Sequence, residues 1–401
     1  MGLLKILFSL FIISFPVAQL GRFQLNNGVS FSLNDVLLSL LVLSWFWFNV
    51  RKRKLLNSGF LQKPIFLFSL IGALALIINF GSLGLGNFAV SFLYLARFVS
   101  YALIYFIVKE FDPKFKKIVT YLMLLSGSII VLIGYIQYFF YPSLRNLFYL
   151  GWDEHLYRMF SSFLDPNFAG AFFVLFLLFL SFFVNKFYKN KNYVKFSLVT
   201  VLSMLTFLAV YLTYSRSALL MLAAGVVAYL ALINKKKFIL LGIVIMILFI
   251  FLSPKSFQTE GTNLFRTVSS EARITSANQG LNIFIKNPVL GVGFDAYRYA
   301  LNRYEGLNTK YWQVTHSGGG TDNSFIFVLA TTGILGFIAY IYLLYKMVRL
   351  GFLNIKKNKY FSVIFICSIL AISVNSFFVN SLFYVFIMEW LFILAGLIEN
   401  K

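Results

Sequence analysis

The stretch Pro166-Asn167-Phe168-Ala169-Gly170-Ala171-Phe172-Phe173-Val174-Leu175-Phe176-Leu177-Leu178-Phe179-Leu180-Ser181-Phe182-Phe183-Val184 decides the fold. It holds no charged residue, and a helix that crosses a bilayer needs about 20 mainly apolar residues. Similar runs recur near residues 4–20, 34–50, 63–80, 88–108, 118–141, 196–214, 217–233, 238–253, 323–345, 360–377 and 380–398. The composition agrees: of 401 residues 60% are hydrophobic, 19% aromatic and only 12% charged, with 50 Phe and a mean hydropathy of +0.83. Such an excess cannot be folded away inside one core, so a soluble globular domain is excluded and lipid must be the solvent. The expected fold is all-α, a polytopic bundle of about 12 transmembrane helices. Residues 1–401 would form a single integral-membrane domain.

The net charge of +22 arises from 35 Lys+Arg against 13 Asp+Glu. In a soluble protein it would suggest nucleic acid; here loop position explains it and no nucleic-acid partner is expected. Arg51-Lys52-Arg53-Lys54 with Lys63, then Lys109, Lys114, Lys116 and Lys117, then Lys186, Lys189, Lys191 and Lys195, then Lys235-Lys236-Lys237, then Lys346, Arg349, Lys356, Lys357 and Lys359 fall in alternate loops. The short loops between them hold only Arg22, Arg145 and Arg158. Both termini are therefore expected in the cytoplasm. The first apolar run reads as an anchor span, because only Lys5 precedes it and Val17-Ala18-Gln19 is a poor cleavage site. A single cysteine, Cys367, excludes an internal disulfide framework. With only His155 and His316 besides, neither a metal nor a cofactor is expected.

Two extracytoplasmic segments, 142–165 and 254–321, are too long and polar to be turns. The longer is expected to carry a short amphipathic helix, with Ser269 or Ser270 as N-cap, Glu271 in the first turn and Pro288 beyond its end. Tyr214-Ser215-Arg216-Ser217 is nearly the whole connection between two spans, so Arg216 is fixed at the outer membrane edge. Arginine predominates outside, as Arg145, Arg158, Arg216, Arg266, Arg273, Arg298 and Arg303, whereas lysine predominates inside. The guanidinium fork suits a bidentate grip on phosphate oxygens, which points to an anionic ligand such as a lipid pyrophosphate. Pairing with acidic neighbours and lipid headgroups is the plainer alternative.

In Thr315-His316-Ser317-Gly318-Gly319-Gly320-Thr321-Asp322-Asn323-Ser324-Phe325 the glycines give a flexible approach to the bilayer edge. Asp322 or His316 there can take a proton from an acceptor hydroxyl. The structural alternative for Asp322 is an N-cap for the following span. Arg97 and Glu389 lie inside apolar runs, where a charge costs about 2.5–3.5 kcal/mol. They would pair with each other or wall a substrate groove, to which Arg158 and Asn323 are further candidates. Gly291-Val292-Gly293 lacks the third glycine and the strand-to-helix setting of a nucleotide loop, so it reads as a turn.

Four segments, in this order, resemble the O-antigen ligase and polymerase superfamily of bacterial polysaccharide assembly. Phe163-Leu164-Asp165-Pro166-Asn167-Phe168-Ala169 resembles its Pro-Asn-x-x-Ala start of a span, and Tyr214-Ser215-Arg216-Ser217-Ala218-Leu219-Leu220 its Ser-Arg turn. Arg273 through Asn287-Pro288-Val289-Leu290-Gly291-Val292-Gly293-Phe294 resembles its arginine, amphipathic helix and Asn-Pro-x-x-Gly-x-Gly sequence. Asp322-Asn323-Ser324-Phe325 followed by Thr332-Gly333-Ile334-Leu335-Gly336 resembles its His-Asn-Ser and Gly-x-x-Gly segment.

The resemblance implies a metal-independent glycosyltransferase of the bacterial inner membrane, acting at its outer face. Its donor would be a glycan on undecaprenyl pyrophosphate, and its acceptor a sugar hydroxyl of a glycan or glycolipid. Membrane lipid and a chain-length regulator are further candidate partners. By matched position Arg216 and Arg273 would bind the pyrophosphate. The chain departs from the ligases where they carry histidine and it carries Asp322, so the base is Asp322 or His316, or catalysis is lost. A lipid-linked glycan flippase is the main rival; it would be expected to show repeated halves and broken spans, and no internal repeat is evident. A peptidoglycan polymerase of the shape-and-division type shares the donor but not these segments.

Overall fold

A computed structural model of the chain describes residues 2–24, 29–51, 59–235, 237, 259–264, 268–306 and 319–399. Helix α1 (Gly2–Ile13) bends by 65° into a 3-10 helix, Phe15–Gly21, which leads into a hairpin of β1 (Arg22–Gln24) and β2 (Ser30–Ser32). Then come α2 (Leu33–Arg51), α3 (Gln62–Ile78), α4 (Phe80–Glu110), α5 (Pro113–Phe140), α6 (Pro166–Lys189), α7 (Tyr193–Leu212) and α8 (Arg216–Leu232). After them follow α9 (Val268–Lys286), α10 (Tyr297–Glu305), α11 (Ser324–Asn354), α12 (Lys359–Asn375) and α13 (Val385–Ile398).

The expected all-α membrane architecture is present. Among the described residues six helices are long and apolar enough to cross a bilayer, α2, α4, α5, α6, α7 and α11, or seven if the bent α1 pair is one span. The helices α3, α8, α12 and α13 are apolar but shorter than 18 residues. The run 238–253 lies outside the described residues.

The innermost helix is α13, in which every residue from Phe386 to Ile398 is buried. It packs on α4, while α12 packs on α8 and α6, and α11 on α3 and α12. The outward faces of α2, α5 and α7 expose Leu43, Trp47, Leu132, Phe139, Leu198 and Met204. A continuous apolar surface of this kind is stable against lipid rather than water.

The charges divide between two ends. At one, Lys5 pairs with Asp112, Lys109 meets Glu399 at 2.8 Å, and Lys116 Nζ donates to the carbonyls of Gly396 (3.0 Å) and Glu399 (2.8 Å). The start of α1 and the end of α13 therefore lie at the same face. The opposite face carries the hairpin, the N-termini of α6, α8 and α11, and the helices α9 and α10.

The buried charges do not pair as the sequence suggested. Arg97 binds Asp35 rather than Glu389, with Nη2 2.8 Å from Oδ2, and its Nη1 donates to the Ser30 carbonyl at 2.9 Å. The Tyr101 hydroxyl donates to Asp35 at 2.5 Å. Glu389, fully buried, accepts instead from Asn34 Nδ2 at 2.9 Å. Ser32 and Asp35 cap the start of α2 reciprocally, the Asp35 N–H donating to Ser32 Oγ and the Ser32 N–H to Asp35 Oδ2.

The Asn287–Gly293 segment is indeed a turn, and it docks on α11. Helix α11 is interrupted at Gly333 (φ +65°, ψ −168°), a backbone region open essentially only to glycine. The break frees two carbonyls, which the turn satisfies: Val292 N–H donates to Ala330 O and Gly293 N–H to Thr331 O, both at 3.0 Å. In return Ile334 N–H donates to Pro288 O at 2.9 Å. Backbones meet so closely that a Cβ on Gly333 would stand 2.3 Å from Val289 C, and one on Gly291 2.4 Å from Thr331 C.

Gly333→Ala should accordingly lower stability by about 1–3 kcal/mol through the backbone strain alone, with the clash adding to it. Thermal unfolding in detergent would read this as a clear fall in Tm, and an unchanged Tm would contradict the interlock. Asp35→Asn leaves the Arg97 guanidinium without its counterion and should cost about 1–3 kcal/mol in the same assay.

Candidate functional site

Three helix starts are built by local sequence and then brought together. Asp165 precedes α6 and accepts from the N–H groups of Asn167 (2.6 Å) and Phe168 (3.2 Å), while Pro166 needs no partner in the first turn. Ser215 caps α8 by accepting from Ala218 N–H and donates to Asn167 Oδ1 at 3.0 Å, tying the two starts together. Gly170 makes the approach possible, since a Cβ there would lie 2.7 Å from Ala218 Cβ. The cap of α11 is Asn323, not Asp322: its Oδ1 accepts from Phe325 N–H (2.9 Å) and Ile326 N–H (3.1 Å). Asp322 is thereby released from the capping role.

Helix α9 then lies across these ends. Ser269 and Ser270, expected as its N-cap, fall inside it, since it already runs from Val268. Ser270, Arg273 and Ser276 are three residues apart and share one face. Ser270 Oγ accepts from Arg216 Nη2 at 3.0 Å, and Ser276 Oγ accepts from the Asp322 N–H at 3.1 Å. Arg273, between them in the helix, is thus delivered to the space between Arg216 and Asp322.

The electrostatics follow from this placement. Burial lowers the Arg273 guanidinium pKa; Asp322 and Asp165 counteract it and Arg216 adds to it. The group still remains charged at neutral pH. Asp322 is open to solvent on its own account, yet desolvation by its surroundings pushes its carboxyl above the usual range, with Asp165 and Asp153 in the same direction and Arg273 opposing. His155 Nε2 stands 3.8 Å from Asp165 Oδ2. The positive ends of α6, α8 and α11 add to the two guanidiniums, which is a setting for an anion. A carboxylate beside them can accept a proton.

The other sequence candidates are placed differently. His316 lies outside the described residues. Arg158 is only 6% exposed and its Nε donates to the Thr213 carbonyl at 2.9 Å, so it braces the turn that carries Arg216. Arg97 and Glu389 belong to the buried contacts of α2, and Asn323 is occupied by its cap.

The contacts of several polar residues here escaped the sequence reading. Asp35 was legible in principle, because Ser32-Leu33-Asn34-Asp35 is a capping box before an apolar run. Ser270 and Ser276 carry no signal beyond their spacing from Arg273. Asp295 follows the docked turn with φ +55°, and burial pushes its carboxyl up to about 7 against the opposing charges of Arg298 and Arg97.

No curated protein matches the chain. The apolar helices make it a multi-pass membrane protein, and residues 201–341, which include Arg216, Arg273 and Asp322, match the family model for O-antigen ligase. The match covers 141 of the 401 residues, and over that part the chain is similar to the O-antigen ligase family.

Proposed function

We propose that the protein is a glycosyltransferase of the O-antigen ligase and polymerase type, moving a glycan from undecaprenyl pyrophosphate to a sugar hydroxyl on a glycan or glycolipid. The observation that carries this reading is the pair of hydrogen bonds that α9 accepts, one from the Arg216 guanidinium and one from the Asp322 backbone N–H, on either side of Arg273 in the helix. In this reading the segment 254–321 is part of the active site and lies outside the cytoplasm. Both termini are on the lysine-rich cytoplasmic side.

Asp322 removes the proton of the acceptor hydroxyl as its oxygen forms a bond to the anomeric carbon of the donor. The bond from that carbon to the pyrophosphate oxygen breaks, and undecaprenyl pyrophosphate leaves with the electron pair. Arg216 and Arg273 stabilise the negative charge gathering on it, the term on which a leaving group of this kind depends most. Transfer needs no metal in this scheme, because two fixed guanidiniums do the neutralising. His316 is the alternative base.

Arg216→Ala and Arg273→Ala should each lower transfer by about 10²–10³-fold, the usual effect of removing one preorganised charge stabiliser. The readout is product formation from a lipid-linked oligosaccharide by the purified protein in vesicles, with membrane insertion checked alongside. Transfer that survives both changes would remove the pyrophosphate role, and donor movement across the bilayer without transfer would favour a transporter. A ladder of longer lipid-linked products indicates a polymerase; a requirement for a distinct acceptor indicates a ligase.

The base assignment gives a pH dependence. Asp322 acts as a base only when ionised, and its pKa is raised, so transfer should be lost on acidification at a pH above that of an ordinary aspartate, whose pKa is about 3.9. Asp322→Asn should abolish most activity, whereas an active Asp322→Asn with an inactive His316→Ala moves the role to His316.

A further inference from the structure

The proposed pyrophosphate site leaves a second group of arginines on the same face unused. Arg22 stands in the hairpin, Arg97 in α4 and Arg298 in α10, three elements far apart in sequence. Arg97 and Arg298 are like charges that act on Arg22. Like charges do not gather in a partly desolvated place without something to offset them. One carboxylate does so directly: Asp35, which holds Arg97 at 2.8 Å. Asp295 faces Arg298 and Arg97, but burial raises it to about 7, so it is only partly ionised at neutral pH. The cluster therefore keeps a net positive charge.

Arg22 carries the second observation. Its Nε is buried and has no hydrogen-bond partner among the described residues. A buried guanidinium N–H left unmatched costs free energy, which a ligand oxygen can recover. The group is also fixed in place, because its guanidinium lies over the Trp152 ring at 5.7 Å and its backbone N–H donates to the Gln19 carbonyl. Arg97 is similarly preorganised and retains 24% side-chain exposure. Arg97 thus contributes a fixed charge, and the unmatched donor of the group is the Arg22 Nε.

The cluster adjoins the first site without merging with it. Tyr384, at the start of α13, stacks on Phe168 with centroids 4.0 Å apart and planes within 6°. Phe168 is held in the capped first turn of α6 by Asp165. Gln19 Nε2 donates to the Tyr384 hydroxyl at 3.3 Å. Tyr384 is within electrostatic reach of both Asp165 and Arg22.

We propose that Arg22, Arg97 and Arg298 form a second anion-binding cluster that holds a phosphate or carboxylate group of the acceptor while the donor pyrophosphate occupies Arg216 and Arg273. This rests on the transferase reading for the word acceptor; the anion site itself rests on the cluster. The same chemistry would also suit the phosphate of a membrane lipid, and the experiment separates the two.

The full chain is placed in vesicles of purely zwitterionic lipid and given one lipid-linked oligosaccharide donor. Two glycolipid acceptors that differ only in a phosphate group are compared. Arg22→Gln and Arg298→Gln should each raise KM for the phosphorylated acceptor about tenfold or more. Donor KM and turnover of the neutral acceptor should stay as in the wild type. A rise in donor KM, or an equal loss with both acceptors, would overturn the proposal. Direct binding of the phosphorylated glycolipid, measured without donor, should weaken in both variants and not in Arg273→Ala. That arm decides the matter even if no transfer is seen, so failure of the transferase reading is distinguishable from failure of the cluster. Adding anionic phospholipid should not displace the glycolipid; displacement at equal mole fraction would assign the cluster to a lipid headgroup and overturn the acceptor role. Arg22→Lys, which keeps the charge, controls for loss of the hairpin and should restore part of the affinity.

Discussion

The functional face depends on one exchange of backbone hydrogen bonds. Helix α11 breaks at Gly333, and at the edge of a membrane the carbonyls freed by a broken turn must find partners inside the protein. The Asn287–Gly293 turn supplies them and receives two of its own bonds in return. Asn79 Nδ2 adds a bond to the Gly291 carbonyl at 3.0 Å, fastening the same turn to the end of α3. Because the turn follows directly on α9, fixing it fixes the direction of that helix. The positions of Ser270, Arg273 and Ser276 over the N-termini of α8 and α11 are consequences.

From that constraint the electrostatics of the site can be ordered by cause. Arg216 sits in a turn only four residues long, held by the Arg158 bond to Thr213 from behind and by Ser270 in front. Arg273 is placed by the helix that bears it. Asp322 is held through its backbone, with Asn323 taking the capping work that would otherwise consume a carboxylate. Arg216 is thus positioned through its guanidinium and Asp322 through its backbone N–H. Three helix dipoles then act in the same sense as the guanidiniums.

The contacts that join α2, α4 and α13 are arranged differently. Asp35, Arg97, Tyr101, Asn34 and Glu389 are committed to one another and join α2, α4 and α13. A hydrogen-bonded group of this kind gives register to helices whose apolar surfaces are otherwise interchangeable. At the far end the Lys5, Lys109 and Lys116 contacts clamp α1, the α4–α5 connection and α13. Lysine there closes the bundle.

The sequence by itself determined the solvent of this protein, its helical class and the division of lysine from arginine between two faces. Those properties are local sums: an apolar run such as 166–184 needs no knowledge of its neighbours to prefer lipid. It also brought forward Arg216, through the short turn that holds it, and Arg273 and Asp322, through segments that resemble a known family. Only the tertiary structure decided which groups meet. Arg216 and Ser270 are 54 residues apart, Asp322 and Ser276 are 46 apart, Arg97 and Asp35 are 62 apart, and Glu389 and Asn34 are 355 apart. The expected pairing of Arg97 with Glu389 gave way to Asp35 for this reason: apolar periodicity says that a buried charge must have a partner, and helix packing alone says which partner is within reach.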